Sequence, residues 1–378
     1  MKRSVKKGPL ILGLCMMFCV ILSSCSAEKD IASETVSIRI KCPPMTMAYD
    51  SEHQDVEIYD LFKEASEKFA AQYKDADVNF IIDKFQYVDE KKQVIDKFGT
   101  DEAADILFGG SFNIPTYILE KRLAAWDEVI DDTLRKDIDD AIWAQCMADG
   151  KTYLMPYVQL QNTLMVNSEL MRNAGLEEYI PAEETIAQWS TEEFNNILLR
   201  LKTSMTDGHS FPMFAYAADN QGDLHTMTLL RAYGCKIFDS DGNFAVNTPE
   251  GIKALEWLKS LSDQEIMPKG AENLDLVSNI NLFNHGQLAV CMGNQVNLND
   301  CRNLYNLDVF LANFPSMDGN GYVTSYLNGF TLFDNGDPKV IKVARDFIRF
   351  IYSDKELMRY SLSSTPVLKS YVEEYGDR

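Results

Sequence analysis

An α/β fold with mostly parallel strands is what this chain of 378 residues predicts, on three observations. Strand-like and helix-like segments alternate along it, the pattern of a sheet flanked by helices. Its composition, 46% hydrophobic and 25% charged, is that of a globular protein. Behind an N-terminal leader about 350 residues remain, more than one core holds, so two domains are expected.

The leader comes first. Lys2, Arg3, Lys6 and Lys7 precede an apolar run from Pro9 to Leu22 that closes on Leu22-Ser23-Ser24-Cys25. The run is shorter than the ~20 apolar residues of a membrane-crossing helix, so 1–24 read as a signal that is removed. Its end resembles a lipobox, which implies cleavage before Cys25 and a diacylglyceryl thioether on that thiol. An ordinary secretory signal with an incidental cysteine is the alternative, although no Ala-x-Ala-like site is well placed. Residues 25–35 are then a polar, lipid-anchored linker.

The folded part opens as βαβαβ. Residues 36–40 alternate as a strand does, and 56–73 place Ile58, Leu61, Phe62, Ala65, Phe69 and Tyr73 on one helical face. A strand over 78–82, a helix over 89–98 and a buried strand over 104–108 follow. Ser190 and Glu193 have the spacing of a capping box and open a helix through 202. Thr248-Pro249 starts another, with the stripe Ile252, Leu255, Leu258 and Leu261. Asp337-Pro338 repeats the device before Val340, Val343, Ala344, Phe347, Ile348 and Ile351.

Charge and motifs exclude several functions. The formal charge is −21; removing the four leader bases and no acid leaves 32 bases against 57 acids, or −25. Such a chain is repelled by nucleic acid and by anionic lipid, so neither is expected as a partner beyond the lipid anchor itself. His53, His209, His225 and His285 are isolated, and no nucleophile elbow, P-loop or dinucleotide fingerprint occurs, so neither catalytic residues nor a metal or cofactor site is expected. Asp239-Ser240-Asp241-Gly242-Asn243 has its glycine at the fourth place rather than the sixth of a calcium loop and reads as a turn. Cys42, Cys146, Cys235, Cys291 and Cys301 read as buried apolar residues, with Cys291 and Cys301 the one pair near enough in sequence to suspect of bonding.

Several segments in order resemble one family, the extracellular solute-binding proteins of bacterial ABC importers, in the branch of maltose-type and other sugar-binding lipoproteins. They are Ala104-Asp105-Ile106-Leu107-Phe108; Leu164-Met165-Val166-Asn167-Ser168-Glu169-Leu170-Met171-Arg172-Asn173-Ala174-Gly175-Leu176; the segment from Pro181 to Trp189; Phe283-Asn284-His285-Gly286-Gln287-Leu288-Ala289-Val290-Cys291-Met292-Gly293; Phe314-Pro315; Asn328-Gly329; and Thr365-Pro366-Val367-Leu368-Lys369-Ser370-Tyr371. The resemblance implies a two-lobed periplasmic-binding-protein-like fold (type II), with a ligand cleft between α/β lobes joined by crossing strands. It places the first crossing at 157–163, the return at 310–315 and a last crossing near Tyr352. The N-terminal lobe is then 36–157 plus 315–352, the C-terminal lobe 158–312 plus 353–378. The family carries further helices after the segment matching Leu368 to Tyr371, so the chain, which stops at Arg378, is expected to be incomplete or to have a trimmed second lobe. Where sugar binders often place tryptophan this chain has Gly293-Asn294-Gln295.

In such folds ligand meets the residues just past strand ends, and sugars pair amide and carboxylate groups with an aromatic plate. The candidates at such positions are Tyr49, Ser111, Phe112, Asn113, Gln159, Gln161, Asn162, Tyr216, His225, Asn294, Gln295, Tyr326 and Asn328, with Asp50 and Asp223 beside them. They are mostly neutral, which favours an uncharged polyhydroxy solute over an ion that needs a counter-charge. The expected function is a monomeric lipoprotein on the outer face of the cell membrane that captures a mono- or oligosaccharide for an ABC permease. The alternatives are a non-sugar solute (peptide, polyamine, metal chelate) on the same scaffold, or a lipid-anchored hydrolase.

Overall fold

The computed structural model describes residues 35–86, 89–183, 185–218 and 220–375, the side chains of 220–225 excepted. The signal, Cys25 and the linker up to 34 lie outside the described residues.

β1 (Thr35–Cys42) runs parallel to β2 (Asp77–Lys84) and to β3 (Ile106–Gly110). α1 (Ile58–Gln72) connects the first two and buries Ile58, Leu61, Phe62, Ala65 and Phe69, the predicted face. The helix expected over 89–98 is broken into Glu90–Gln93 and a 3-10 turn Ile95–Lys97; Val94 at the break is fully buried, and Ile95 and Phe98 pack half-buried against the same core.

β4 (Leu154–Asn167) is 14 residues long and carries the chain from one core to another. Leu154, Met155, Tyr157, Val158 and Leu160 belong to the first core; Leu164, Met165 and Val166 belong to the second. In that second core α2 (Thr191–Ser204) opens with the predicted box: Ser190 Oγ accepts from the Glu193 N–H at 3.2 Å, and the Glu193 carboxylate accepts from the Ser190 N–H at 2.8 Å. β5 (Phe211–Met213) lies parallel to β6 (Leu288–Gly293).

α3 (Pro249–Asp263) starts as expected, and Leu261 of its stripe is buried with Leu258 packed beside it, but the first half of the stripe is turned. Ile252 and Leu255 are 48% and 44% exposed, while Gly251 and Ala254 face inward. A Cβ at position 251 would stand 2.0 Å from the Val246 carbonyl oxygen, so close backbone approach, open only to small residues, selects the face.

α4 (Gln295–Tyr305) follows β6, and β7 (Val309–Ala312) pairs antiparallel with the second half of β4. β8 (Thr324–Phe333) then returns to the first core, antiparallel to both β3 and β4. The sheet is therefore parallel at its edges and antiparallel where strands cross. α5 (Pro338–Ser353), capped by Asp337, buries Val343, Ala344, Phe347, Ile348 and Ile351 on the first core.

The stretch from 353 onward corrects the expected division. Leu357, Met358, Tyr360, Val367, Leu368 and Tyr371 are buried in the first core, not the second. β9 (Thr365–Pro366) pairs with β4 at Gln159 and Val158, and α6 (Lys369–Tyr375) is tied by the Ser370 N–H and hydroxyl to the Asp137 carboxylate at 2.8 and 2.5 Å. Among the described residues the crossings are thus two, along β4 and before β8. Cys291 and Cys301 are both free: their thiols donate to the Met292 carbonyl at 3.3 Å and the Asn284 side-chain oxygen at 3.1 Å.

Candidate functional site

A cleft of about 620 Å³ lies where loops of the first lobe face the start of α4 in the second. Its first-lobe wall is set by the turn after β1. The Asp50 carboxylate accepts from the backbone N–H of Glu52 and of His53, each at 2.9 Å, and meets His53 Nδ1 at 2.8 Å. The bond to His53 and those N–H groups hold Asp50 below the usual carboxylate range. The turn stacks Tyr49 on His53 at 4.6 Å between ring centroids and sets it edge-on to Tyr360 at 5.3 Å. Tyr371 and Tyr375, one turn apart on α6 with centroids 4.6 Å apart, line the same cleft.

The charges on this wall are committed to one another. Arg359, whose guanidinium lies 5.1 Å over the Tyr49 ring, forks onto Glu64 of α1 at 2.6 and 3.2 Å, and Lys68 and the Tyr360 hydroxyl reach Glu64 at 2.9 Å each. Burial pushes the Glu64 carboxyl up, yet the bonds from Arg359, Lys68 and Tyr360 outweigh it and leave Glu64 below its ordinary value. Glu356 lies 3.6 Å from Arg359, and Lys355 pairs with Glu374. A ligand entering this cleft meets aromatic rings and paired charges.

The second-lobe wall is one helix face. Gln295, Asn299 and Asn303 recur every fourth residue on α4, which puts three amides in a row. Gln295 Nε2 donates to Asn299 Oδ1 at 3.0 Å, and Asn303 Nδ2 donates across to Gln54 Oε1 of the first lobe at 3.0 Å. Asn294 is not part of that row: its Oδ1 accepts from the N–H groups of Val296 and Asn297 at 3.0 and 3.2 Å and caps the helix.

A second, small hollow holds Phe112, Tyr326 and Asn328 with Glu90 and Gly110. Phe112 is 44% exposed, 5.9 Å edge-on from Tyr326, and its ring fills the place where a Cβ at Gly110 would lie, 2.2 Å away. Asn113 donates to Glu90 at 2.7 Å and Tyr117 donates to the same carboxylate, which burial nonetheless pushes above the ordinary range. Burial also pushes the Tyr326 hydroxyl up to about 12.

The sequence candidates therefore scatter. Tyr49 and Gln295 line the large cleft; Phe112, Tyr326 and Asn328 line the small hollow. Asn113 and Asn294 serve internal bonds, as does Gln159, which donates to Ser325 Oγ at 3.0 Å. Ser111 Oγ accepts from the Leu327 N–H at 3.4 Å, Gln161 is exposed, and Asn162 is buried. Tyr216 is fully buried in the second core, so its ring is packing and lines neither hollow. The side chain of His225 lies outside the described residues. Gln54, Asn299, Arg359, Tyr371 and Tyr375 were not singled out; the fourfold spacing of amides on α4 and of tyrosines on α6 was the available signal.

Comparison with known proteins bears on this geometry. The family described as bacterial extracellular solute-binding protein matches residues 53–358. A putative binding protein of Brucella abortus (strain 2308) is 20% identical over 229 residues, 61% of this chain and 53% of that protein, so the chain spans about half the length of the curated relatives it matches. The GacH receptor of Streptomyces glaucescens, solved unliganded and with acarbose, superposes with a TM-score of 0.68 at 16% identity, over 91% of this chain and 84% of the other. An ABC substrate-binding protein of Listeria monocytogenes in complex with cycloalternan gives 0.69 at 17% over 91% and 83%, and the cyclic alpha-maltosyl-1,6-maltose binding protein of Arthrobacter globiformis 0.67 at 19% over 91% and 84%. At such identities the likeness establishes the two-lobed fold.

Proposed function

The chain belongs to the bacterial extracellular solute-binding proteins, and from that premise we propose that it captures a neutral mono- or oligosaccharide and delivers it, without altering it, to the membrane subunits of an ABC importer. The observation that carries this reading is the cleft wall: Tyr49, Tyr371 and Tyr375 offer ring faces beside Gln54, Gln295 and Asn299. Rings suit the CH-rich face of a pyranose and amides its hydroxyl rim. The cations beside them, Arg359 and Lys355, are paired with Glu64 and Glu374 among the described residues, which argues against an anionic solute held by a dedicated counter-charge. Carbohydrate ligands named for similarly folded proteins agree with this choice.

Affinity comes from closure of the lobes around the solute, since contacts made to both walls at once favour the closed arrangement. The lipid on Cys25 keeps the protein beside the permease. Isothermal titration calorimetry against neutral mono- and oligosaccharides, with peptides and polyamines as controls, tests the ligand class. Heat with at least one neutral sugar is expected; heat with only the charged solutes would replace the sugar by one of them.

A further inference from the structure

The two strands that join the lobes, β4 and β8, part company at one residue pair. Their ladder ends with Thr324 opposite Asn162. At the next residue, Thr163, β4 changes partner to Gly293 of β6, and from Leu164 it also pairs with β7. Ahead of Thr324 the chain belongs to the second lobe, where Phe314 sits in its core and bridges to Tyr322. Any rotation of one lobe against the other is therefore absorbed at the step 162/163 and 323/324.

That step holds an anomaly. Asn162 is 3% exposed, and its Nδ2 is buried without a hydrogen-bond partner; the Thr324 Oγ1 across the ladder is likewise buried and unpartnered. Two of the few orphaned polar side-chain atoms among the described residues thus fall on a single cross-strand pair. An orphaned buried donor or acceptor costs far more than a satisfied one gains, so native interiors seldom keep it. Directly opposed residues of an antiparallel pair have Cβ atoms within about 4.5–5.5 Å and side chains on one face, so a small change of local twist brings the amide to the hydroxyl. The groups are complementary: Nδ2 donates and Oγ1 accepts.

We propose that Asn162 and Thr324 hydrogen-bond to each other in a second arrangement of the lobes, and that this one bond sets the balance between the two arrangements. In the arrangement described here both groups are orphaned; in the other each satisfies its partner. They act as positioning residues, touching no ligand, and bias closure through the strands. The inference rests on the two-lobed fold and not on the identity of the solute.

The signature is non-additivity. Replacing either residue by an apolar one leaves the survivor equally orphaned in both arrangements, and replacing both leaves nothing orphaned in either; all three variants therefore lose the whole bias. The experiment uses the protein from Ser26 onward without ligand, spin-labelled at Glu67→Cys on α1 and Glu256→Cys on α3, both exposed and one on each lobe, while Cys42, Cys146, Cys235, Cys291 and Cys301 are buried. Pulsed electron–electron resonance reads the interlobe distance in the wild-type background, in Asn162→Leu, in Thr324→Val and in the double variant. We expect the wild-type background to populate a distance other than the one described here, and each variant to reduce that population by roughly tenfold, the double no more than the singles. Thr324→Val preserves volume and removes a hydroxyl with no partner here, so its melting temperature is expected to hold or rise, which separates the effect from misfolding. A wild-type background with the present distance alone, identical distributions in all four proteins, or shifts that add would each overturn the proposal.

Discussion

The two walls of the cleft are built on opposite principles. The first-lobe wall is fixed from behind: Tyr49 is pinned between His53, Tyr360 and Arg359, and Arg359 is itself forked onto Glu64 of α1. The core beneath it is a lattice of rings in which Phe330 meets Phe62, Phe108, Tyr157 and Tyr352 at 5.4–6.2 Å. The second-lobe wall is one short helix whose outward amides bond to each other and to Gln54. Such bonds exchange readily for bonds to a ligand, because an amide side chain both donates and accepts. Under the proposed function the difference assigns roles: a preorganised aromatic face to receive the solute, and an adaptable polar face to adjust to it.

Substitutions can break or sharpen this contrast. The largest effect is expected beneath the fixed wall. At Gly329, where the β8 register shifts, a Cβ would stand 2.1 Å from the Met155 carbonyl oxygen, a backbone atom that cannot rotate away. Gly329→Ala should cost about 2–3 kcal/mol in chemical denaturation and weaken binding with it. Glu64→Gln comes next: it strips the carboxylate from Arg359, Lys68 and Tyr360 and should cost about 1–3 kcal/mol, with a looser Tyr49 as the consequence for affinity.

That carboxylate also gives a pH test of fixed sign. Its folded value lies below the ordinary one, so its contribution to stability is present above the ordinary glutamate pKa and is lost as pH falls through the lower folded value. Wild-type thermal stability should therefore drop on acidification below about pH 4, and Glu64→Gln should drop less. A parallel decline in both proteins would remove Glu64 from the account.

Smaller effects belong to ligand contacts. Tyr49→Ala should weaken sugar binding by roughly tenfold through loss of ring stacking. Gln295→Ala and Asn299→Ala should each weaken it about fivefold, the worth of one hydrogen bond, and leave the melting temperature unchanged because the bond between their side chains lies on the helix surface and ties α4 to no other element. If the α4 variants cost more affinity than Tyr49→Ala, the roles of the walls are reversed.

What the sequence carried depended on range. Helix starts were legible because caps are local: Ser190 with Glu193, Thr248 before Pro249 and Asp337 before Pro338 each stand within a few residues of what they cap. The turned face of α3 was not, since it follows from a close approach to the Val246 carbonyl and not from hydrophobicity. The parallel pattern held at the sheet edges and failed where β8 inserts between β3 and β4, a pairing of residues more than 150 apart. Site candidates taken from strand ends included residues whose polar groups serve internal bonds, Asn294 to its own helix start and Asn113 to Glu90. The tyrosines of α6 were hidden by the expectation that the chain beyond 353 belongs to the second lobe.

The most direct test of the central claim is a calorimetric titration of the wild-type protein and Tyr49→Ala with a panel of neutral sugars, repeated across low and high salt. The account predicts binding of a neutral sugar whose affinity changes little with salt, because the solute carries no charge, and which Tyr49→Ala weakens. Binding confined to charged solutes and eroded by salt, with Tyr49→Ala indistinguishable from wild type, would contradict it.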